Sequence, residues 1–305
     1  GEEWVCKVDY FSNIERLESI NNLGSSGIKP QYSCKRQVSA DDIRKPGGRL
    51  LKSKKILAGA CIVDVLSRVT GKLLPYGSLT GIRPVKLAMQ CIDDGLDKTD
   101  TVKHLIKTTS MNEEKASLLY DIAVVERPFI NIDPKSVHLY IGIPFCRSRC
   151  LYCSFTSYPV ERYRSLIPAF LDALEKEIRF VKKMVDENKL RIKSVYIGGG
   201  TPTALDNSSL DRVLQLVNES FDIKNAEFTV EAGRPDTITY EKLNTMKINN
   251  VTRISINPQT MNASTLKAIG RNHTPEEVVE KFKISRDMGF DNINMDIIAG
   301  LPNED

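Results

Sequence analysis

Hydrophobic positions change their period near residue 135. From Trp4 to Tyr10 they alternate with polar ones, the pattern of a strand. Over Arg49–Val69, Ile56, Ala60 and Val63 recur at helical spacing with Leu57 and Cys61 beside them, and Gly71 supplies a stop. The run Pro75–Pro84 reads as a turn-rich connector. Helices are then predicted over Val85–Asp94, ended by Gly95, and over Thr101–Lys107 and Glu113–Arg127, capped by Asp100 and Asn112. Residues 1–133 thus read as a smaller, mostly helical α+β domain, and Pro128 and Pro134 punctuate its end.

From Val137 short apolar runs alternate with amphipathic ones. Strands are predicted over Val137–Ile143, Ser194–Ile197, Glu227–Glu231, Arg253–Ile256 and Asn292–Ile298. Helices are predicted near Ala169–Asn188, Ser209–Glu219, Tyr240–Met246 and Pro275–Met288. Apart from the first, the intervals between strand starts bracket the roughly 30 residues of a βαβ unit. Repeated strand-helix-strand order calls for a parallel sheet, so the class is α/β. Residues 134–305 read as a partial (β/α) barrel of five parallel strands, truncated before a sixth. Open sheets and barrels alike place ligands at the carboxyl ends of their strands.

Composition narrows the partners. Lys and Arg number 43 against 39 Asp and Glu, a formal charge of only +4, so no nucleic-acid surface is expected. A hydrophobic fraction of 41% excludes a disordered or collagen-like chain. With no apolar run near the ~18 residues of a membrane span and no signal peptide at the start, a cytoplasmic protein is expected. Residue 1 is Gly, so the start reads as processed or as the edge of a fragment.

The seven cysteines fall into two groups. Cys6, Cys34, Cys61 and Cys91 are scattered and read as reduced core thiols, whereas Cys146, Cys150 and Cys153 follow closely on the first parallel strand and read as metal ligands. Three thiolates can hold a cuboidal iron–sulfur cluster by three corners, leaving one iron open to another ligand. A structural zinc site is the alternative and would need a fourth donor, with His138 on the strand itself and His273 remote in sequence.

The run Tyr140-Ile141-Gly142-Ile143-Pro144-Phe145-Cys146-x3-Cys150-x-Tyr152-Cys153 resembles the signature of the radical S-adenosylmethionine (SAM) superfamily, in its oxygen-independent coproporphyrinogen III oxidase-like branch. Four further matches follow in order. They are Gly198-Gly199-Gly200-Thr201-Pro202-Thr203, then Glu231, then Gln259 with Gly270-Arg271-x-His273, then Asp296 in Asp296-Ile297-Ile298-Ala299-Gly300-Leu301-Pro302. Gly77–Pro84 is similar to the coproporphyrinogen dehydrogenase-like subgroup.

The resemblance implies a [4Fe-4S] cluster on Cys146, Cys150 and Cys153, with Tyr140 and Tyr152 beside it, and SAM as the second cofactor. It implies that Gly198, Gly199, Gly200 and Thr201 let the SAM methionine approach the backbone, that Glu231 accepts from its ammonium and that Arg271 grips its carboxylate. Gln259 and Asp296 would hold the ribose. An electron from a donor such as flavodoxin or ferredoxin would cleave SAM, and the resulting 5′-deoxyadenosyl radical would take a hydrogen atom from a porphyrinogen or haem-like molecule. No catalytic residue beyond the cofactors is implied.

Two departures bear on substrate. Phe155 stands where true oxidases carry a fourth cysteine, and Gly142 replaces a histidine. Phe155 is what haem-trafficking relatives have, so a haem-binding protein that retains the cluster is the alternative function. The basic stretch Arg44, Lys45, Arg49, Lys52, Lys54 and Lys55 reads as a solvated helix face, with porphyrin propionates as the other possible partner.

Overall fold

The computed structural model describes residues 3–10, 31–39, 50–80, 83–130 and 133–304. Gly81 and Ile82 of the connector and Arg44, Lys45 and Arg49 of the basic stretch lie outside these, as do the side chains of Lys52 and Lys54; Lys55 is exposed. The chain divides into two compact units, Gly1–Asn131 and Ile132–Asp305.

In the first unit, β1 (Glu3–Tyr10) pairs antiparallel with β2 (Tyr32–Ser39), which places Val8 opposite Cys34 and Cys6 opposite Arg36. β2 has no counterpart among the expected elements. α1 (Leu50–Thr70) packs on this pair and ends where Gly71 adopts a left-handed φ of 69° and donates to the Ser67 carbonyl. Three of the scattered cysteines meet here. Cys34 Sγ lies 3.6 Å from Cys61 Sγ, which is 3.5 Å from the Cys6 carbonyl, and all three are free thiols. Burial pushes the Cys61 thiol up to about 12.

α2 (Val85–Asp93), α3 (Lys98–Thr109) and α4 (Glu113–Glu126) close a small core of Ala88, Leu105, Met111, Ala116, Leu119 and Ala123. Asn112 caps α4 as expected, accepting from the Lys115 N–H at 2.8 Å. The expected cap Asp100 is a correction. α3 starts a turn earlier because Asp97, held extended, accepts from the Asp100 N–H at 2.8 Å, leaving Asp100 inside the first turn.

The second unit is a five-stranded parallel sheet of β3 (Ser136–Ile143), β6 (Arg191–Gly199), β7 (Glu227–Glu231), β8 (Arg253–Ser255) and β9 (Asn292–Asn294), ordered in space as in sequence. Between β3 and β6 lie the two-residue strands β4 (Phe145–Cys146) and β5 (Tyr158–Pro159), the short helix α5 (Val160–Tyr163) and α6 (Ile167–Glu187). α7 (Asn207–Ser220), α8 (Tyr240–Ile248) and α10 (Pro275–Asp287) are the later crossovers. A strand order that never reverses is that of a (β/α) barrel wall rather than a doubly wound sheet, which has a switch point.

Alternation sorts the two faces. Ile141, Ile143, Val195, Ile197, Phe228, Val230 and Ile254 are buried against Leu171, Leu174, Leu210, Leu214 and Leu243 of the helices in one continuous core. The opposite face carries His138, Tyr140, Ser194, Tyr196, Thr229, Glu231, Arg253, Ser255 and Asn294, linked across strands. His138 Nδ1 meets Ser194 Oγ at 2.7 Å, Tyr196 donates to Glu231 at 2.5 Å, and Arg253 reaches both Glu227 and Asn294 at 3.3 Å. Fully covered parallel strands are apolar on both sides. These are not, so this face is built to meet polar groups.

β9 is shorter than the predicted Asn292–Ile298. After Asn294 the Asp296 N–H turns to the Asn257 side-chain oxygen at 3.4 Å, and one further pairing, Gln259 with Ile297, forms beyond it. α9 (Ala263–Ala268) was not expected; Asn262 caps it by accepting from the Ser264 N–H at 3.0 Å. Among the described residues no helix is long and apolar enough to cross a membrane.

The end of β6 passes directly against the β3–β4 backbone. Gly200 donates to the Ile143 carbonyl at 2.8 Å and Thr201 to the Phe145 carbonyl at 2.7 Å. A Cβ at Gly200 would sit 2.4 Å from the Phe145 oxygen. Gly200→Ala is therefore expected to lower stability by about 3 kcal/mol, read as a shift in the denaturant midpoint, whereas Gly142→Ala, whose Cβ meets only the Tyr140 ring at 3.5 Å, should leave it within experimental error.

Candidate cofactor site

The carboxyl edge of the sheet gathers most of the residues singled out in the sequence. Cys146 is buried in β4, paired in register with Pro159 of β5. Its Sγ lies 3.1 Å from the hydroxyl of Thr201, itself buried, and that hydroxyl also donates to the Gly200 carbonyl at 2.8 Å. One hydroxyl proton cannot serve both. While Cys146 is a thiol it donates to Thr201; as a thiolate it would draw the Thr201 proton to itself. Cys150 is buried and Cys153 half-buried, joined by a turn in which the Cys153 N–H donates to the Cys150 carbonyl at 3.1 Å.

The cysteine loop is fastened to the segment carrying Arg271. Leu151 donates to the Ile269 carbonyl at 3.1 Å, and Gly270 faces Leu151 so closely that a Cβ there would touch its side chain at 3.6 Å. Arg271 is 7% exposed, and its Nη1 donates to the Asn257 carbonyl at 2.6 Å. Its Nε is buried with no acceptor. Tyr152 lies beside Arg271 and Cys150, and burial pushes its phenol up to about 12. His273 is likewise buried. The Pro258 backbone approaches its ring, yet neither ring nitrogen forms a hydrogen bond of ordinary geometry. Burial, then the neighbouring Arg271 charge, holds its pKa below the usual imidazole value, so the ring is neutral.

Glu231 ends β7 and takes the Tyr196 hydroxyl proton in a hydrogen bond of 2.5 Å. Tyr140, 63% exposed on the same face, stacks on Tyr196 with centroids 5.9 Å apart. Burial raises the Glu231 carboxyl above its ordinary range; the Tyr196 bond opposes this and the Asp296 charge adds to it. Burial also pushes the Tyr196 phenol far up, so it remains a donor.

Gly198 sits in the corner between these groups, where a Cβ would come within 2.7 Å of the Tyr196 ring and 3.0 Å of the Glu231 carboxylate. Gly199, with a φ of 110°, and Gly200 instead face the β3–β4 backbone. Within the glycine run, then, Gly198 keeps the Glu231 carboxylate uncovered and the other two admit the neighbouring chain.

Gln259 and Asp296 are neighbours through their backbones. Gln259, at a left-handed φ of 66°, donates its N–H to the Asp296 carbonyl at 3.0 Å and accepts from Ile298 at 2.9 Å. Asn294 holds the Asp296 carboxylate at 2.8 Å, leaving that side chain exposed at the sheet edge.

Three thiols, a neighbouring hydroxyl, the Arg271 Nε–H without an acceptor and a buried imidazole form a donor set that suits a thiolate-held cluster with a polar ligand beside it. Among the described residues no three His, Cys, Asp or Glu side chains, Cys146, Cys150 and Cys153 included, close around a single-ion position.

Tyr196, Asn257 and Asn294 were not singled out in the sequence, although Tyr196 and Asn294 lie on the face that alternation assigns to Tyr140 and Glu231, and Asn257 follows just beyond β8. Arg234 was missed too, and a turn Arg-Pro-Asp gives no sign that its arginine is buried. Phe155, at the position of the fourth cysteine of true oxidases, is 69% exposed.

A family model described as the radical SAM superfamily matches residues 140–305, more than half of the chain. The chain is similar to the oxygen-independent coproporphyrinogen-III oxidase-like protein HemZ of Bacillus subtilis, 38% identical over 312 residues that take in 100% of this chain and 61% of that protein. It is also similar to the heme chaperone HemW of Bacillus subtilis, 36% identical over 169 residues, 54% of this chain and 43% of that one. A solved structure of coproporphyrinogen III oxidase, HemN, from Escherichia coli, described as a radical SAM enzyme, aligns with a TM-score of 0.50 at 27% identity, covering 56% of this chain and 38% of that one. This chain thus spans less than two thirds of the length of these relatives. The ordered edge of thiols, glycines and polar side chains, set on a parallel barrel wall and matched over more than half of the sequence, makes the chain a member of the radical SAM superfamily.

Proposed function

We propose that the protein is a radical SAM oxidoreductase acting on a tetrapyrrole, in the manner of coproporphyrinogen III oxidase. Membership of the superfamily implies a [4Fe-4S] cluster and SAM, which when bound supply one-electron chemistry able to remove a hydrogen atom from an unactivated carbon. The observation that supports the reading is the junction of the cysteine loop with the Arg271 segment through Leu151 and Ile269, on a segment whose Arg271 Nε–H has no acceptor.

Cys146, Cys150 and Cys153 would hold the cluster. Arg271 would orient the SAM carboxylate through the Nε that lacks an acceptor, and Glu231, uncovered above Gly198, would accept from its ammonium. Gln259 and Asp296, joined through their backbones, would meet the ribose. Tyr140 and Tyr152 would shield the cluster from water. A one-electron donor such as flavodoxin or ferredoxin completes the reading, because no described side chain can supply an electron of low enough potential.

A haem-binding carrier is the second reading, favoured by the exposed Phe155 in place of a fourth cysteine and by the resemblance to HemW. Anaerobic reconstitution followed by assay of 5′-deoxyadenosine, with and without coproporphyrinogen or haem, separates the two. Stimulated formation by porphyrinogen supports the oxidase-like enzyme; tight haem binding with no stimulation supports the carrier and refutes our reading. Cys146→Ala, Cys150→Ala and Cys153→Ala are each expected to reduce iron from about four per chain and to abolish 5′-deoxyadenosine formation.

SAM affinity should depend on pH through Glu231. Its carboxyl pKa is raised, so the carboxylate that attracts the ammonium is present above that value and is lost as pH falls through it. Titration by equilibrium dialysis should show weakening toward acid in the native protein. Glu231→Gln should bind about tenfold more weakly at neutral pH and lose this dependence; an unchanged acid limb would reject the assignment.

A further inference from the structure

Arg234, on the loop that follows β7, is among the largest side chains fully enclosed in the protein, at 1% exposure. A buried guanidinium is tolerated only where its donors are met. Here Nε and Nη2 reach the two oxygens of Asp236 at 3.1 and 3.3 Å, while Nη1 donates to Ser148 twice, to its carbonyl at 3.0 Å and its hydroxyl at 2.9 Å. The same Nη1 lies 3.9 Å from Cys150 Sγ. Arg147 adds a second hold, donating to the Asp236 carbonyl at 2.9 Å and approaching its carboxylate at 3.5 Å. Both Arg147 and Ser148, between Cys146 and Cys150, are therefore tied to the Arg234–Asp236 pair. Asp236 occupies the Nε side of the fork, so the uncompensated side faces the thiol.

We propose that Arg234 is a positioning residue that fixes the Cys146–Cys150 segment and, through the guanidinium charge it holds 3.9 Å from Cys150 Sγ, raises the reduction potential of the cluster held there. This rests on the reading that Cys150 is a cluster ligand. A donor or cation beside a ligating sulfur stabilises the form with more negative charge, and reduction of the cluster adds one negative charge. Lysine cannot substitute, since a single ammonium cannot meet Asp236, Ser148 and the sulfur in one plane.

The test is a redox titration of the anaerobically reconstituted protein, followed by the electron paramagnetic resonance of the reduced cluster, alongside iron and sulfide analysis. In Arg234→Gln the ratio of reduced to oxidised cluster at one fixed potential is expected to fall about tenfold, equal to about 59 mV for a one-electron couple. Arg234→Lys, which keeps the charge without the fork, should fall about threefold, and it carries the test should the Gln variant fail to fold. A ratio equal to that of the native protein in a variant with full iron content overturns the proposal while leaving the cluster assignment intact. Native protein that takes up no iron overturns the assignment and the proposal together.

Discussion

Gly200 and Thr201 donate to the carbonyls of Ile143 and Phe145, and that close passage of two backbones governs the rest of the site. It requires glycine, because a Cβ at residue 200 would strike the Phe145 carbonyl. It sets the Thr201 hydroxyl against Cys146 and fixes the first thiol relative to the sheet. The cysteine loop then departs from a defined point, and its far side is secured by Leu151 to Ile269 and by Arg234 to Ser148. The loop that carries the three thiols is thereby held at three places, by residues that follow β6, β7 and α9.

The sheet's two faces divide the work. Apolar side chains of β3, β6, β7 and β8 join the helices in a single core, which supplies the burial that stabilises the unit. The other face trades such burial for polar side chains that satisfy one another across strands, from His138 and Ser194 to Arg253 and Asn294. Tyr196 anchors this polar face. Its ring stacks beneath Tyr140, and its hydroxyl holds the Glu231 carboxylate, which burial has made a weaker acid.

Much of this was legible in the sequence because it depends on local period and spacing. The five strands and four crossover helices of the second unit follow from alternation and amphipathicity, and the cysteine and glycine runs mark the edge they share. What escaped depends on tertiary partners. β2 carries Lys35 and Arg36 in its middle and becomes a strand only by pairing with β1. The start of α3 was misplaced because Asp97 and Asp100 are equally good caps on paper, and only the extended backbone of Asp97 decides between them. β9 ends early because the Asn257 side chain takes over a backbone role. The meeting of Cys6, Cys34 and Cys61 arises from the β1–β2 register together with α1, across 55 residues of chain. Arg234 is the clearest case, since nothing in its neighbours' chemistry distinguishes a buried arginine from a turn residue at the surface.

Because spatial order repeats chain order, each strand leaving the ribosome finds its partner already in place, one crossover behind it. The Cys146–Thr201 contact can form once β6 has joined β3, whereas Arg234, Ile269, Arg271 and Asp296 are translated later. The contact between Cys146 and Thr201 therefore needs only the first two parallel strands, while the far side of the cysteine loop waits for later elements of the sheet.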